Sequence, residues 1–421
     1  MKYIIAIVIA LLTASTSFGQ QTSDTSKSFG LDYLIENAVS KNTKFEAIEY
    51  QRKIELIKKE QVNKQPMPMF EAMIDYIPLD FMAKPEYDGF LTQRIMLPGK
   101  LSTMELMSDV NAKKQFIIKE QLKIELIRQI KAYYFSLYYY EKLLGFNNEY
   151  RDILKSIIKT LENSYSAGMG SQSQILKMNN EIQMLEFERT EMEAMRKVYV
   201  NNLKVISNLN IPDDFHTKDL QIIMNTQYDM DSLKLTDVLI KNNPEFKMID
   251  NMIDGSRVEK KIAELDRTPD FTFKGGYRYM AAQPMSFLTF SIGIDLPFMP
   301  WNSKRIDAMV DEKTAMELQA MSSKNSALQY MKNELQGMLI MINSLRSKIT
   351  YLKEVLYPQT QQTFNSTLVS YSSGSGEFMN LLDSYRKLRE VSQMLAKEET
   401  ELLKQYGELE FLLGRQITKI N

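Results

Sequence analysis

Cysteine is absent from the 421 residues, and histidine and tryptophan occur once each. Without cysteine there are no disulfides, thiolate metal sites or cysteine nucleophiles, and no cysteine to carry a lipid anchor. The one histidine, His216, lies in a polar connector running Pro212-Asp213-Asp214-Phe215-His216. It reads as a lone surface side chain, which excludes histidine triads and multi-histidine metal sites. No sign of charge dominates: 52 basic residues face 53 acidic ones. Nucleic-acid binding needs a basic excess, so no nucleic-acid partner is expected. With no nucleophile–base set or metal cluster to assemble, the chain does not read as an enzyme, and no cofactor or metal site is expected.

Long apolar runs are missing as well. The single exception is short and lies at the start: Lys2, an apolar run from Ile4 to Leu12, then small residues ending Ser17-Phe18-Gly19. This pattern is that of a cleavable secretory signal over residues 1–19. A bilayer-spanning helix needs ~20 apolar residues, more than this run offers. Removing Lys2 with the signal shifts the net charge from −1 to −2. Any membrane contact by the mature chain must therefore use β-strands or the surface.

What is present is a repeat. Asn42-Thr43-Lys44-Phe45 recurs as Asn243-Pro244-Glu245-Phe246, and Pro68-Met69-Phe70 as Pro269-Asp270-Phe271. Both share an offset of 201 (246 − 45 and 269 − 68). Tyr165 to Gly170 recurs as Tyr371 to Gly376, at an offset of 206 (371 − 165). The extra residues fall where Leu97-Pro98-Gly99-Lys100 becomes the longer Leu296 to Lys304. The chain divides into a first repeat over 20–230 and a second over 231–421. Each reads helix, strand, strand, long helix, glycine turn, long helix.

The long helices carry apolar seams of coiled-coil period. One runs through Leu328, Met331, Leu335, Met338, Ile342, Leu345, Ile349, Leu352 and Leu356. After the glycine turn another runs through Phe378, Leu381, Tyr385, Leu388, Leu395, Leu402, Tyr406 and Leu409, interrupted by Ser392 and Glu399. The first half is looser, with Leu122, Leu126, Ile130, Tyr133 and Leu137, then Ile175, Met178, Ile182 and Leu185. Lys119, Glu120, Lys123, Glu125 and Arg128 read as a solvated face. From Lys100 to the turn near Tyr165 the helix would reach ~95 Å. Pro358 falls inside a long helix and should kink or loosen it.

Four strands separate these helices. Phe271, Phe273, Tyr277 and Tyr279 alternate with Asp270, Thr272, Lys274 and Arg278. After a short link, Leu288, Phe290, Ile292, Ile294 and Leu296 alternate with Thr289, Ser291, Gly293 and Asp295. Segments of about ten residues, apolar on one side, suit a membrane β-barrel, although a soluble sheet packed on a helix has the same local pattern. In the first half Phe70, Ala72, Ile74 and Tyr76 oppose Glu71 and Asp75, while Gly89 to Met96 mixes Thr92, Gln93 and Arg94 on both faces. Four strands cannot close a barrel. Other copies of the chain are the economical source of the missing ones, and three copies would bring twelve.

Taken in order, these elements resemble the TolC-like outer-membrane efflux proteins. The specific matches are Gln93 to Lys100 and Ile294-Asp295-Leu296-Pro297, like the family's strand-to-helix junctions. Tyr165 to Gln174 and Tyr371 to Asp383 are similar to its helix-hairpin tips, and Pro358-Gln359-Thr360 resembles a segment before the second tip. The resemblance covers essentially the whole mature chain. It implies a mainly α fold, with a coiled-coil α-barrel of long antiparallel hairpins and four strands per chain in a trimeric twelve-stranded outer-membrane β-barrel. It further implies a homotrimer that works with a periplasmic adaptor (a membrane fusion protein) and an inner-membrane pump, as a passive exit duct for RND-type drug or metal efflux. The lipid-facing residues would be Phe271, Phe273, Tyr277, Leu288, Phe290 and Ile292. Tyr165, Gly168, Gly170, Tyr371, Gly374 and Gly376 would form the adaptor-contacting turns, and their glycines are of the kind tight turns use for positive φ. Aspartates that ring the family's constriction fall at Asn380 and Asp383 here; Asp383 matches, Asn380 departs, and Glu377 stands near enough to compensate.

Two other readings use the same features. A periplasmic coiled-coil adaptor would place the strands in a soluble domain, but adaptors usually have one helical hairpin and this chain has two. A type I protein secretion duct would share the architecture. The 28 methionines suggest a third possibility. Met67, Met69 and Met73 would share a strand face, with Met82, Met96, Met280, Met285 and Met299 at the same end, and thioethers bind Cu(I). Methionine is equally a flexible core filler.

Overall fold

The computed structural model describes residues 30–75, 85–168, 170–218, 220, 224, 230–281 and 283–417. The signal sequence over 1–19, Tyr76 and Met82 lie outside the described residues.

The chain runs α1 (Leu31–Lys41), α2 (Thr43–Val62), β1 (Met69–Asp75), β2 (Glu86–Ile95), α3 (Lys100–Ser166) and α4 (Gln172–Ser207). The same order follows with α5 (Ser232–Asn242), α6 (Pro244–Leu265), β3 (Phe271–Met280), β4 (Met285–Ile294), α7 (Pro300–Tyr351), α8 (Tyr357–Ser372) and α9 (Phe378–Leu413). Each strand pair is thus preceded by two helices rather than the single one expected. Asparagine is the cause. Asn42 has extended backbone, and its side chain accepts from the Lys44 N–H at 2.9 Å. Asn243 does the same for Phe246 at 2.9 Å, with Pro244 opening the next helix. A side chain that satisfies an orphan donor starts a new helix and stops the old one.

The 67 residues of α3 form one unbroken helix, a rod of about 100 Å at 1.5 Å per residue. Its partner in the second half is broken: a π-turn spans Leu352–Leu356, between α7 and α8. There the Tyr357 N–H reaches the Leu352 carbonyl, five residues back. Pro358 follows at once, and its ring collides with the carbonyl four residues earlier in a regular helix. The wide turn absorbs that clash, so the loosening expected at Pro358 takes this form.

Packing follows the seams. Leu31, Leu34, Ile130, Leu137, Leu239, Leu335, Ile342, Tyr406 and Leu409 belong to one buried cluster that ties α1 and α5 onto α3, α7 and α9. A second cluster, with Leu154, Leu161, Met178, Leu185, Phe378 and Tyr385, holds the two helical hairpins together toward their tips. Ser392 and Glu399, the seam's interruptions, are buried rather than left open. Ser392 hydrogen-bonds the Tyr150 hydroxyl and Glu399 pairs with Lys142. Lys131 and Glu410 form a further buried pair. The charged stretch of α3 is only half solvated, for Lys119 reaches Glu49 at 3.0 Å and Arg128 bridges Glu125 and Glu408.

The four strands form one antiparallel sheet in sequence order, with β1 and β4 at its edges. The register pairs Tyr277 with Leu288 and Phe273 with Ile292, and Phe70 with Leu91. Two of its glycines are shielded by aromatic rings. A Cβ on Gly276 would lie 2.2 Å from the Phe90 ring, and one on Gly275 would touch Phe290 at 3.4 Å. No helix among the described residues is long and apolar enough to cross a membrane.

Candidate functional site: the sheet and the helical tip

Strand periodicity gives the sheet two different faces. Phe271, Phe273, Tyr277, Leu288, Phe290 and Ile292 share one face with Phe70, Ile74, Tyr87 and Leu91. In the single chain Leu288 is 73% and Phe290 80% exposed. The opposite face carries the charges. There Lys274 donates to Glu71 at 3.0 Å and lies 4.1 Å from the Phe90 ring centroid, while Arg278 makes a fork with Asp88. The mixture expected over residues 92–94 resolves by register. Thr92 and Arg94 join the charged face, whereas Gln93 sits on the apolar face near the helical end and donates to the Pro66 carbonyl at 2.8 Å.

An ion network fastens the strand ends to the helices. Asp270, immediately before β3, accepts from buried Lys100 at 2.8 Å and from Arg94 at 2.9 Å. Arg94 also reaches Asp295 at 3.1 Å. Burial works against ionisation of Asp270, but Lys100 and Arg94 outweigh it and hold the carboxyl below its usual range. These four residues come from both halves, so the junction couples them. Just beyond stand Phe298 and Trp301, both exposed.

At the other end of the rods the two turns meet, joined by the Tyr371 hydroxyl, which donates to Gln174 at 3.1 Å. Gly168 and Gly374 have φ of +75° and +76°, which side chains other than glycine resist. Gly170 and Gly376 are glycine for a different reason than positive φ. A Cβ on Gly376 would sit 2.8 Å from the Tyr371 nitrogen, and one on Gly170 3.1 Å from the Tyr165 nitrogen. Tyr165 is half exposed. Glu377 caps α9 through its backbone, without a side-chain cap. Asn380 and Asp383 follow at intervals of three, and all three side chains are exposed on one strip beside the buried Phe378, Leu381 and Tyr385. Arg386, next along, is engaged by Glu181 at 3.0 Å.

No protein-family model and no curated protein sequence matches the chain. Solved structures do. The channel protein CusC superposes with a TM-score of 0.77 over 91% of this chain and 92% of its own, at 14% identity. The outer-membrane channel OprN gives 0.76 over 91% and 89%, also at 14% identity. The MtrE outer-membrane channel of Neisseria gonorrhoeae, in its open state, gives 0.69 over 92% and 89% at 16% identity. The fold is that of the TolC-like outer-membrane channels. In TolC-like terms, the sheet is the β part and the paired hairpins are the α part, as the sequence pattern led us to expect.

Some features of this chain were hidden in its sequence. The methionines do not gather at one end. Met280 pairs with Met285 at the β3–β4 turn, whereas Met67, Met69, Met96 and Met299 lie toward the helical end of the sheet. Met69 and Met73 do share the charged face, as expected, but ten-residue strands separate the two groups by about 30 Å, so the described methionines do not gather into the clustered thioether site. Phe90, missed as an inward residue, is buried on the charged face. The pairs Lys131–Glu410 and Lys142–Glu399 were also missed; a charge inside a seam requires a partner, and that was the available signal.

Proposed function

We propose that the chain is one subunit of a homotrimeric exit duct in the outer membrane, reached after cleavage of a signal over residues 1–19. The observation that carries this reading is the incomplete sheet. Among the described residues its apolar face is uncovered, both its edges are open, and it needs more strands to close. Three copies would contribute twelve strands, with Phe271, Phe273, Tyr277, Leu288, Phe290 and Ile292 toward lipid and the charged face toward a watery lumen. Trp301 and Phe298 at one end, with Tyr87, Tyr277 and Tyr279 toward the other, fit the aromatic belts of a membrane protein. The strand hairpin end then faces outward and the helices enter the periplasm, as two repeats divided near residue 230.

The duct is passive. An inner-membrane pump drives export, and a periplasmic adaptor engages the turns at Tyr165, Gly168, Gly170, Tyr371, Gly374 and Gly376. Asp383 from three copies forms a charged constriction, with Asn380 and Glu377 beside it, because like charges around a narrow pore attract cations.

Replacing Phe290 with Arg should cost about 2–4 kcal/mol of barrel stability and impair assembly, whereas Ser291→Arg should be mild. Heat-sensitive trimer bands in detergent measure both. Equal tolerance at the two positions, or a water-soluble monomer, would remove the membrane reading. Asp383→Ala should leave the trimer intact but lower cation selectivity and multivalent-cation block in planar bilayers; unchanged conductance properties would reduce Asp383 to a solvated helix residue.

A further inference from the structure

α6 lies between α3 and α7 and uses its two sides differently. Asp250, Asp254 and Arg257 pair with Lys324, Lys113 and Glu317, so this strip ties α6 to both neighbours. Two residues further along each time stand Met252, Ser256 and Glu259, about 200° around the helix and thus on the other side. There the three helices leave a hollow of about 440 Å³. Drug-sized ligands occupy cavities of ~300–1,000 Å³, so one small molecule fits. Met107, Val110, Ile249, Met252, Met316 and Ala320 supply its apolar wall, and methionine adapts its shape to what it touches. Met252 is 57% and Met316 40% exposed, apolar surface that a guest would cover. Gly255 keeps the hollow open, for a Cβ there would meet only Val110, at 3.5 Å.

The charge around this hollow is uneven. Glu259, at the end nearer the sheet, is held by Lys313 at 3.1 Å. Lys114 lines the other end and is exposed. Among the described residues it forms no ion pair, and Asp254 on the facing helix is engaged by Lys113 at 2.9 Å. One uncompensated positive charge therefore stands beside an apolar wall.

We propose that the hollow binds a compact amphipathic anion, whose apolar body covers the methionines and whose single negative group meets the Lys114 ammonium. The lining comes wholly from one chain, so the site is complete within a subunit. Only the source of the ligand rests on the duct reading. Lys114 follows Lys100, the first residue of α3, by 14 residues (114 − 100), about 20 Å along the helix axis. A bilayer around the sheet keeps its headgroups away from that level, so the ligand is a dissolved solute.

The chain has no cysteine, so Ser323→Cys, at an exposed position of the lining, gives a unique reporter. The full-length protein in phosphatidylcholine nanodiscs is treated with N-ethylmaleimide, and the rate of thiol modification is followed. 8-Anilinonaphthalene-1-sulfonate should slow that modification saturably. N-phenyl-1-naphthylamine, the same ring body without the sulfonate, should need about five- to tenfold more, the effect of losing one charge-assisted hydrogen bond. Lys114→Gln should erase this difference, and Lys114→Arg should keep it. Exchanging part of the lipid for phosphatidylglycerol should change nothing. Oligomeric state, measured on the same samples, reports on the duct reading separately. No protection by the sulfonate, equal protection by the two compounds, or a difference that survives Lys114→Gln would overturn the proposal. Protection lost on adding phosphatidylglycerol would overturn the assignment to a dissolved ligand.

Discussion

The two helical hairpins follow one repeated pattern, yet only the second carries a break in its regular helix. In the first, α3 runs 67 residues without a break. In the second, the π-turn at Leu352–Leu356 separates α7 from α8. Aligning the turns at an offset of 206 puts Asp152 opposite Pro358 (358 − 206). One residue type accounts for the contrast. Aspartate leaves every helical hydrogen bond in place, whereas proline removes one and forces its carbonyl neighbour aside. The repeat thus preserves the seam and the tip while allowing a rod to become a jointed rod.

Exchanging that residue should have the largest effect. Asp152→Pro places proline within continuous helix and should cost about 3 kcal/mol or more. The reverse change, Pro358→Ala, should restore regular helix and raise hydrogen-exchange protection over residues 352–358. If Asp152→Pro melts with the wild type and exchange near 152 stays slow, proline is not what separates the hairpins. The tips differ less. Gly376→Ala should cost about 1–3 kcal/mol through overlap with backbone, and Gly170→Ala less, because its contact is looser. Thermal denaturation of the assembled protein ranks them, and a reversed order would mean the tips relax differently.

The smallest effect concerns what joins the hairpins. Tyr150 and Tyr385 meet edge to face at 5.9 Å. Burial pushes the Tyr150 phenol up to about 12 and raises Tyr385 as well. An unfolded tyrosine titrates near ~10. A folded pKa raised above that value gives stability that is fully present below pH ~10 and lost as pH climbs toward the folded pKa. Unfolding midpoints should therefore fall as pH rises above ~10, and less steeply in Tyr150→Phe. An identical slope in that variant would exclude Tyr150 as a source.

Much of this was readable in advance because periodicity reports burial directly. The seams through Leu335 and Ile342, and through Leu381 and Tyr385, are buried as spaced. The strand alternation over 271–294 matches the register. What escaped depends on partners remote in sequence or on local chemistry. Lys131 and Glu410 are 279 residues apart, and nothing in either neighbourhood names the other. Phe90 turns inward because Gly276 leaves a space beneath its ring, a fact about a neighbouring strand. The asparagine caps were legible in principle, since Asn42 and Asn243 occupy matching places in the repeat. The hollow beside Lys114 was not, because it is defined by what three separate helices leave empty.

The open edges of the sheet have a consequence for the life of the protein. Among the described residues, β1 and β4 each present a row of backbone donors and acceptors with no strand beyond them. Water can satisfy that row, but hydrocarbon cannot. A lone subunit therefore has no resting place in a bilayer, and in solution its bare edges invite pairing with any passing strand. If the chain is a subunit of the proposed trimer, insertion and closure must be one event, and a newly made chain has to be escorted until its siblings arrive.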